Sequence, residues 1–453
     1  MQASGAIPLR AWHNTLICLG LPLNISVIEL SEPARTPPLR LSATIRGCLG
    51  RLVLLLFGLL TALLVIEFGT RLLGVAPPTD PLPVLWGPHP YLGWFHVPNH
   101  GGLWYSEYRE FETQVHINAR GLRDREIPYD KPAGVYRILV LGDSFAEALQ
   151  VPLEATFAKQ LEAMLSTPAR PVEVINAGVG GWGTDQEAVF YAIEGFRYQP
   201  DLVLLCFFAH NDVLNNYQPL EVARVHGAVQ KPFFQLKNGE LVEPHFPFEA
   251  PPTPETPAPP LLSVYNWLHD HVAFYRLVVP YLRDIPPILR LAGPSGLLGG
   301  MAVFMADDPS TPLTYDVYRP DPPAAWQEAW QLTAALLRRL QREVHARGSR
   351  LALVIIGAPE QVYPERWQAV LSANPDMQGQ DWDLNAPNRQ LASILDESGI
   401  PYLDLLPVFQ AEARSNAPAL HFRHDGHWTP DGHRLAARAI AAFLQQRLWA
   451  ASR

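Results

Sequence analysis

Tyr136-Arg137-Ile138-Leu139-Val140-Leu141-Gly142-Asp143-Ser144-Phe145 decides the fold. Residues 138–141 form a short apolar run, partly β-branched, that stops at Gly-Asp-Ser. A continuous apolar run of this length reads as a parallel strand buried on both faces. Gly142 permits a sharp turn at its carboxyl end and brings Ser144 out at the mouth of the sheet. Ligands of open parallel sheets bind along that edge.

Working outward, Leu153, Phe157, Leu161, Met164 and Leu165 recur at helical spacing on one face. Residues 172–175 read as a second strand, 178–183 as a loop, 185–196 as a helix and 202–208 as a third buried strand ending at Asn211. That alternation implies right-handed parallel βαβ units. Further on, Trp326, Trp330, Leu337, Leu340 and Val344 mark a long amphipathic helix. Residues 351–356 follow as strand four, 388–398 as a helix and 401–405 as strand five. The closing helix is 430–448, with proline in its first turn.

Between strands three and four the pattern breaks. A hairpin is expected around Asn238-Gly239, with arms 233–236 and 240–242. A proline-rich linker (246–260) and an apolar helix (262–282) follow, so 213–323 reads as an insertion or cap near the active face. The first part of the core domain is then 135–212 and the second 324–453, preceded by a linker and lead-in segment at 69–134 with a strand at 115–118.

Residues 52–66 carry no charge, and with Leu49 and Phe68 they approach the roughly 20 residues that span a bilayer. The expected anchor is 49–68, after an N-terminal tail at 1–48. Arg35, Arg40, Arg46 and Arg51 precede it and only Arg71 follows closely, so the positive-inside rule puts the tail in the cytoplasm and 72–453 outside. A cleaved signal peptide is the alternative, because Gly74-Val75-Ala76 has suitable small residues, but Pro77 directly after the cut disfavours it. Residues 1–36 read either as a flexible tail or as an extension upstream of the true start.

The composition narrows the function classes. An apolar fraction of 48% supports a sizeable core across 453 residues, and a formal charge of −9 argues against a sequence-independent nucleic-acid binder. Three cysteines are too few for a disulfide scaffold, and no Cys/His cluster has zinc spacing. Neither a metal nor a cofactor is expected.

Serine needs a base within hydrogen-bond reach to act as a nucleophile. For Ser144 the candidate is His427, with Asp425 as its orienting acid. In an extended segment residues two apart point to the same side, so Asp425 would meet Nδ1 while Nε2 faces Ser144. Asp431 and Asp404 are rival acids. Blander readings stand beside these. Ser144 could be a strand-end turn residue, Asn211-Asp212 a turn or helix cap, and Trp182 and Trp428 core aromatics rather than sugar-stacking ones. His433, His421 and His424 read as structural or loop residues, and Asp143 as a turn-stabilising acid. The α/β-hydrolase elbow is disfavoured, since Ala146 stands where it needs glycine.

Four blocks in order, Gly142-Asp143-Ser144-Phe145, 176–181 (Asn-Ala-Gly-Val-Gly-Gly), His210-Asn211-Asp212 and Asp425-Gly426-His427, resemble those of the SGNH, or GDSL-type, hydrolases and acyltransferases. The resemblance covers about 136–447. It implies a flavodoxin-like three-layer α/β/α fold with a five-stranded parallel sheet in the order 2-1-3-4-5 and an acyl-serine mechanism. It also implies an oxyanion hole from the Ser144 and Gly181 backbone N–H groups and the Asn211 amide, with Gly180 or Gly178 as alternatives to Gly181. The chain departs from the family at two points. His424 occupies the position three before the histidine where the acid usually stands, and Ala209 replaces a usual glycine.

The resulting expectation is an extracytoplasmic, membrane-anchored enzyme that hydrolyses O-acyl groups, above all O-acetyl, on a glycan or another small ester. Transfer of the acyl group to a sugar hydroxyl is the alternative, because 425–430 (Asp-Gly-His-Trp-Thr-Pro) resembles the terminal block of polysaccharide O-acetyltransferases. A catalytically silent glycan-binding or assembly protein is a second alternative. The membrane is the other expected partner, and nucleic acid is not.

Overall fold

The computed structural model describes residues 43–225, 229–248, 257–300, 302, 313–415 and 418–449. The expectations for residues 1–36, and for parts of the 246–260 linker, lie outside the described residues. The chain divides into two units between Ala62 and Leu63, and of the first only the stretch from 43 onward is described. A single helix, α1 (Ala43–Leu73), runs through that boundary. Its Gly50–Leu73 portion is long and apolar enough to cross a membrane, and residues 50–66 are exposed, whereas Thr70 near its end is buried. It extends beyond the expected 49–68. At 1.5 Å per residue 24 residues give about 36 Å, enough for a hydrocarbon core of about 30 Å.

The second unit is built on five parallel strands: β1 (Tyr136–Gly142), β2 (Val172–Asn176), β3 (Leu202–Phe208), β4 (Arg350–Ile356) and β5 (Tyr402–Asp404). Their order is 2-1-3-4-5, as expected. Ile138 pairs with Leu202 across β1 and β3, and Leu202 with Arg350 across β3 and β4. Because side chains alternate along a strand, each one feeds two cores. Leu139, Leu141, Val203, Leu205, Phe207 and Leu353 face one cluster, and Ile138, Val140, Leu204, Cys206 and Val354 the other. Both faces are dry, which is why the strands read as apolar runs without alternation.

The helices that matter below are α2 (Ser144–Glu147), α3 (Phe157–Leu165), α4 (Thr184–Ile193), α5 (Asp212–Asn216), α6 (Ala273–Arg283), α7 (Ala324–Ala346), α8 (Ala386–Ser398) and α9 (Pro430–Phe443). Residues of α4, α7 and α8 cover the first face, and those of α3 and α9 the second, giving the three layers. Met164 departs from the expected buried face of α3 and is 39% exposed.

Several boundaries move. The expected strand at 115–118 is Glu112–His116, paired with Gly101–Tyr105 in an antiparallel hairpin. The Asn238-Gly239 hairpin pairs Gln235–Lys237 with Glu240–Val242. The single helix expected at 262–282 is two, Leu262–His271 and α6, broken at Val272. The cause lies about 200 residues away. Glu67 of α1 accepts the Ala273 and Phe274 N–H groups at 3.0 and 2.9 Å, and Arg71 donates to the His271 carbonyl. One side chain satisfies the new N-terminus and the other the old C-terminus, so the break leaves these end groups paired.

Candidate active site

Three chain segments converge at the carboxyl edge of the sheet. β1 ends at Gly142, and Asp143 caps the short α2, its Oδ1 accepting from Phe145 N–H at 2.9 Å. Ser144 is therefore the first residue of a helix, and its side chain is partly exposed. β3 ends two residues before His210, and Asn211 precedes α5. The third segment is a tight turn before α9, closed by Phe422 N–H donating to the His427 carbonyl at 2.8 Å and Gly426 N–H to the Phe422 carbonyl at 3.2 Å.

That turn carries Asp425 and His427 into place. His427 Nε2 lies 2.8 Å from Ser144 Oγ, and its Nδ1 lies 2.8 Å from Asp425 Oδ1. The same carboxylate oxygen accepts the His427 backbone N–H at 3.1 Å. The backbone is not extended here, contrary to the sequence argument. Gly426 has φ +84°, a left-handed conformation that glycine adopts without strain, and the turn rather than an extended path brings the pair together. The rival acids are engaged elsewhere. Asp404 accepts from Asn388 Nδ2 and Leu406 N–H, and Asp431 pairs with Arg434.

The electrostatics follow from these contacts. Burial pulls the His427 pKa down, but the hydrogen bond and charge of Asp425, helped by Asp143 and Glu147, outweigh it and leave the imidazole above its ordinary value. Burial pushes Asp425 up, and the His427 bonds together with Gln150 overcome it, leaving the acid below the usual carboxylate range. The Asp143 carboxyl is fully buried and pushed up to about 6 by that burial, against the opposing Phe145 N–H, His427 and Asn211.

The glycine loop after β2 lies against α2. Val179 N–H donates to the Gly142 carbonyl at 3.0 Å, and Asn176 Nδ2 to the Ala146 carbonyl at 2.8 Å. A Cβ on Gly178 would sit 2.4 Å from Glu147 N and 2.5 Å from Ala146 Cβ, so only glycine allows the approach. Among the described residues neither the Ser144 nor the Gly181 N–H has an acceptor, whereas Gly178 N–H is taken by Asn176 Oδ1. The Asn211 amide donates to Asp143 Oδ2 at 3.2 Å, leaving its second N–H available.

Other neighbours sort themselves by burial. Trp182 and Trp428 are fully buried core residues, and His433 accepts the Phe157 N–H. His421, read as a loop residue, is buried, and neither ring nitrogen has a partner among the described residues. Sequence reasoning missed Glu147, whose Oε1 meets His96 Nε2 at 2.6 Å and Trp86 Nε1 at 2.9 Å. It also missed Gln150, a side-chain partner of Asp425, and Glu110, which reaches the Asp425 turn from the lead-in segment. No spacing rule reveals partners this far apart in the chain.

A serine bonded to histidine and through it to aspartate, at the edge of a 2-1-3-4-5 sheet, is the equipment of serine esterases and acyltransferases. Residues 319–453 match the family model described as SGNH hydrolase-like domain, acetyltransferase AlgX; that stretch supplies β4, β5, Asp425 and His427. Over that stretch, about a third of the chain, the sequence is similar to the SGNH hydrolase-like domain. No curated protein matches the sequence. Similar solved structures include an acetylxylan esterase from Geobacillus stearothermophilus, 13% identical, covering 68% of this chain and 94% of that one with a TM-score of 0.34. An α/β hydrolase from the metagenome of Lake Arreo, Spain, is 12% identical over 70% of this chain and 97% of that one, also at 0.34. Another acetyl xylan esterase is 13% identical over 68% and 98%, at 0.34.

Proposed function

We propose that this chain cleaves O-acyl esters, foremost O-acetyl groups of an extracytoplasmic glycan, through an acyl-serine intermediate. The observation that carries the reading is the continuous hydrogen-bond chain from Ser144 Oγ through His427 to Asp425. Ser144 Oγ attacks the ester carbonyl carbon while His427 Nε2 takes its proton. The tetrahedral oxyanion is met by the Ser144 and Gly181 N–H groups and the Asn211 amide. Its collapse breaks the ester C–O bond, and His427 returns the proton to the departing sugar oxygen. Water, deprotonated by the same imidazole, then releases the acid and restores Ser144. Asp425 fixes the tautomer and stabilises the imidazolium without itself taking the proton.

A second reading is supported by the match of 319–453 to a family named for an acetyltransferase. There a sugar hydroxyl replaces water in the second half-reaction, with the same residues. In both readings Gly50–Leu73 anchors the enzyme in a membrane, N-terminus inside and catalytic unit outside, following the arginine asymmetry.

The full chain in detergent micelles should hydrolyse 4-nitrophenyl acetate and be labelled by a fluorophosphonate at one serine. Labelling that persists in Ser144→Ala removes the nucleophile assignment. A sugar acceptor that accelerates turnover while becoming acylated identifies the transferase; turnover indifferent to acceptors identifies the hydrolase.

A further inference from the structure

The turn that carries Asp425 is held from outside by residues that the mechanism above does not use. Glu110 sits at the tip of the hairpin formed by Gly101–Tyr105 and Glu112–His116. Its Oε1 accepts the His424 N–H at 3.0 Å, and its Oε2 accepts the His424 and Asp425 N–H groups at 3.2 and 3.0 Å. One carboxylate thus captures two successive backbone donors at the crest of the turn, and such charge-assisted bonds are short and strong. Phe111, the next residue, packs on Phe422 at the base of the turn, ring centroids 5.0 Å apart.

The other side of the turn is braced by the insertion. The Tyr108 ring stacks on His424 at 4.0 Å with planes 5° apart, and Tyr281 of α6 stands edge-on to both rings. Asp284, immediately after α6, accepts the Tyr108 hydroxyl at 2.8 Å and lies 3.5 Å from His424 Nδ1. Arg283 pairs with Glu107 of the same hairpin tip. His424 stands where the acid of related enzymes usually lies. Here it is an attachment point, and the acid follows one residue later.

We infer that Glu110 is a positioning residue for Asp425: it fixes the backbone of the turn so that one carboxylate oxygen meets both the His427 N–H and Nδ1. This rests on the reading of Ser144, His427 and Asp425 as the reacting chain. Within the turn, Gly426 N–H donating to the Phe422 carbonyl closes the Asp425 side, but the preceding His424 and Asp425 N–H groups have no acceptor other than Glu110 among the described residues. Releasing these two N–H groups lets the carboxylate drift. A displacement of about 1 Å in a catalytic constellation costs on the order of 100-fold in rate.

The test is a double-variant cycle on the full chain in micelles, with 4-nitrophenyl acetate. Glu110→Ala should lower kcat by about 10- to 100-fold with KM changed less than about twofold. Glu110→Gln, which keeps the volume and one acceptor, should fall between Ala and wild type. In an Asp425→Asn background Glu110→Ala should add less than about a twofold loss, because the residue it positions no longer acts. An unchanged kcat in Glu110→Ala, or losses that multiply in the double variant, overturns the inference. Should Glu110→Ala not fold, as judged by its thermal midpoint, the cycle is run with Glu110→Gln under the same criteria. Ser144→Ala separates the two levels: if it retains turnover, the serine reading itself fails, whereas an inactive Ser144→Ala with multiplying Glu110 losses removes only the positioning role.

Discussion

Asn211 and Asp143 close the space between the ends of β3 and β1 with one hydrogen bond, Nδ2 to Oδ2 at 3.2 Å. The carboxylate's other oxygen caps the helix that starts at Ser144, so one buried acid orients both the Ser144 turn and the amide opposite it. It also fixes which end of the Asn211 side chain faces the carboxylate, and leaves the second amide N–H free to meet an oxyanion.

Asn211→Ala should therefore reduce kcat by on the order of 100- to 1000-fold, as loss of one oxyanion donor does elsewhere. KM should change little, because the donor acts on charge that develops only in the transition state. Asp143→Ala should reproduce part of that loss by freeing the amide to rotate. Steady-state kinetics on an activated ester reads both. A raised KM with unchanged kcat in Asn211→Ala would assign the residue to substrate binding.

Much of this arrangement is legible in the chain. The apolar runs that become β1, β3 and β4 are uninterrupted because both faces are covered, so period and burial agree. Gly142-Asp143-Ser144 and His210-Asn211 follow such runs, and the parallel order puts their ends side by side. What was hidden depends on distant partners. The break at Val272 exists because Glu67 and Arg71 satisfy the two new helix ends. The Asp425 turn needs Glu110, and no local pattern in either segment announces the other. The extended path assumed through Gly426 failed because its positive φ reverses the chain there.

Glu187, in the first turn of α4, gives a stability prediction. It is fully buried, and neither carboxylate oxygen has a partner among the described residues. Burial raises its pKa well above the ordinary value, and Asp143 and Asp185 push the same way. The folded protein therefore holds the proton that the unfolded chain releases above about pH 4.5. Stability tied to this group is complete below that pH and is lost as pH rises toward the folded value. Glu187→Gln keeps the shape and removes the titration. Its thermal midpoint should exceed that of wild type at pH 8, with the difference shrinking toward pH 4.5. An equal offset at both pH values would mean that the group does not change protonation between the folded and unfolded states.

The anchor has its own test. A periplasm-active phosphatase fused in the linker after Pro83, in cells of a Gram-negative host, should be active, and a cytoplasm-active reporter at the same point silent. The reverse pattern would invert the orientation. Activity released into the soluble fraction with loss of 1–76 would show cleavage at Gly74-Val75-Ala76 instead.

The acid beside the base is where the pH dependence is sharpest. His427 must be neutral to take the Ser144 proton, and Asp425 holds its pKa above the ordinary imidazole value of 6.5 against the pull of burial. The acid limb of kcat/KM should therefore lie above pH 6.5. Asp425→Asn removes the hydrogen bond and charge that raise the imidazole, leaving burial opposed only by Asp143 and Glu147. The limb should move to lower pH while the plateau falls on the order of 100- to 10,000-fold. Part of the loss should return in alkali, where hydroxide stands in for the weakened base. Asp404→Asn and Asp431→Asn should stay within about tenfold of wild type, since their carboxylates serve Asn388, Leu406 and Arg434 instead. An Asp425→Asn enzyme that keeps the wild-type plateau, alongside a folded but inactive variant of either rival, would move the acid to another residue and leave Ser144 and His427 in place.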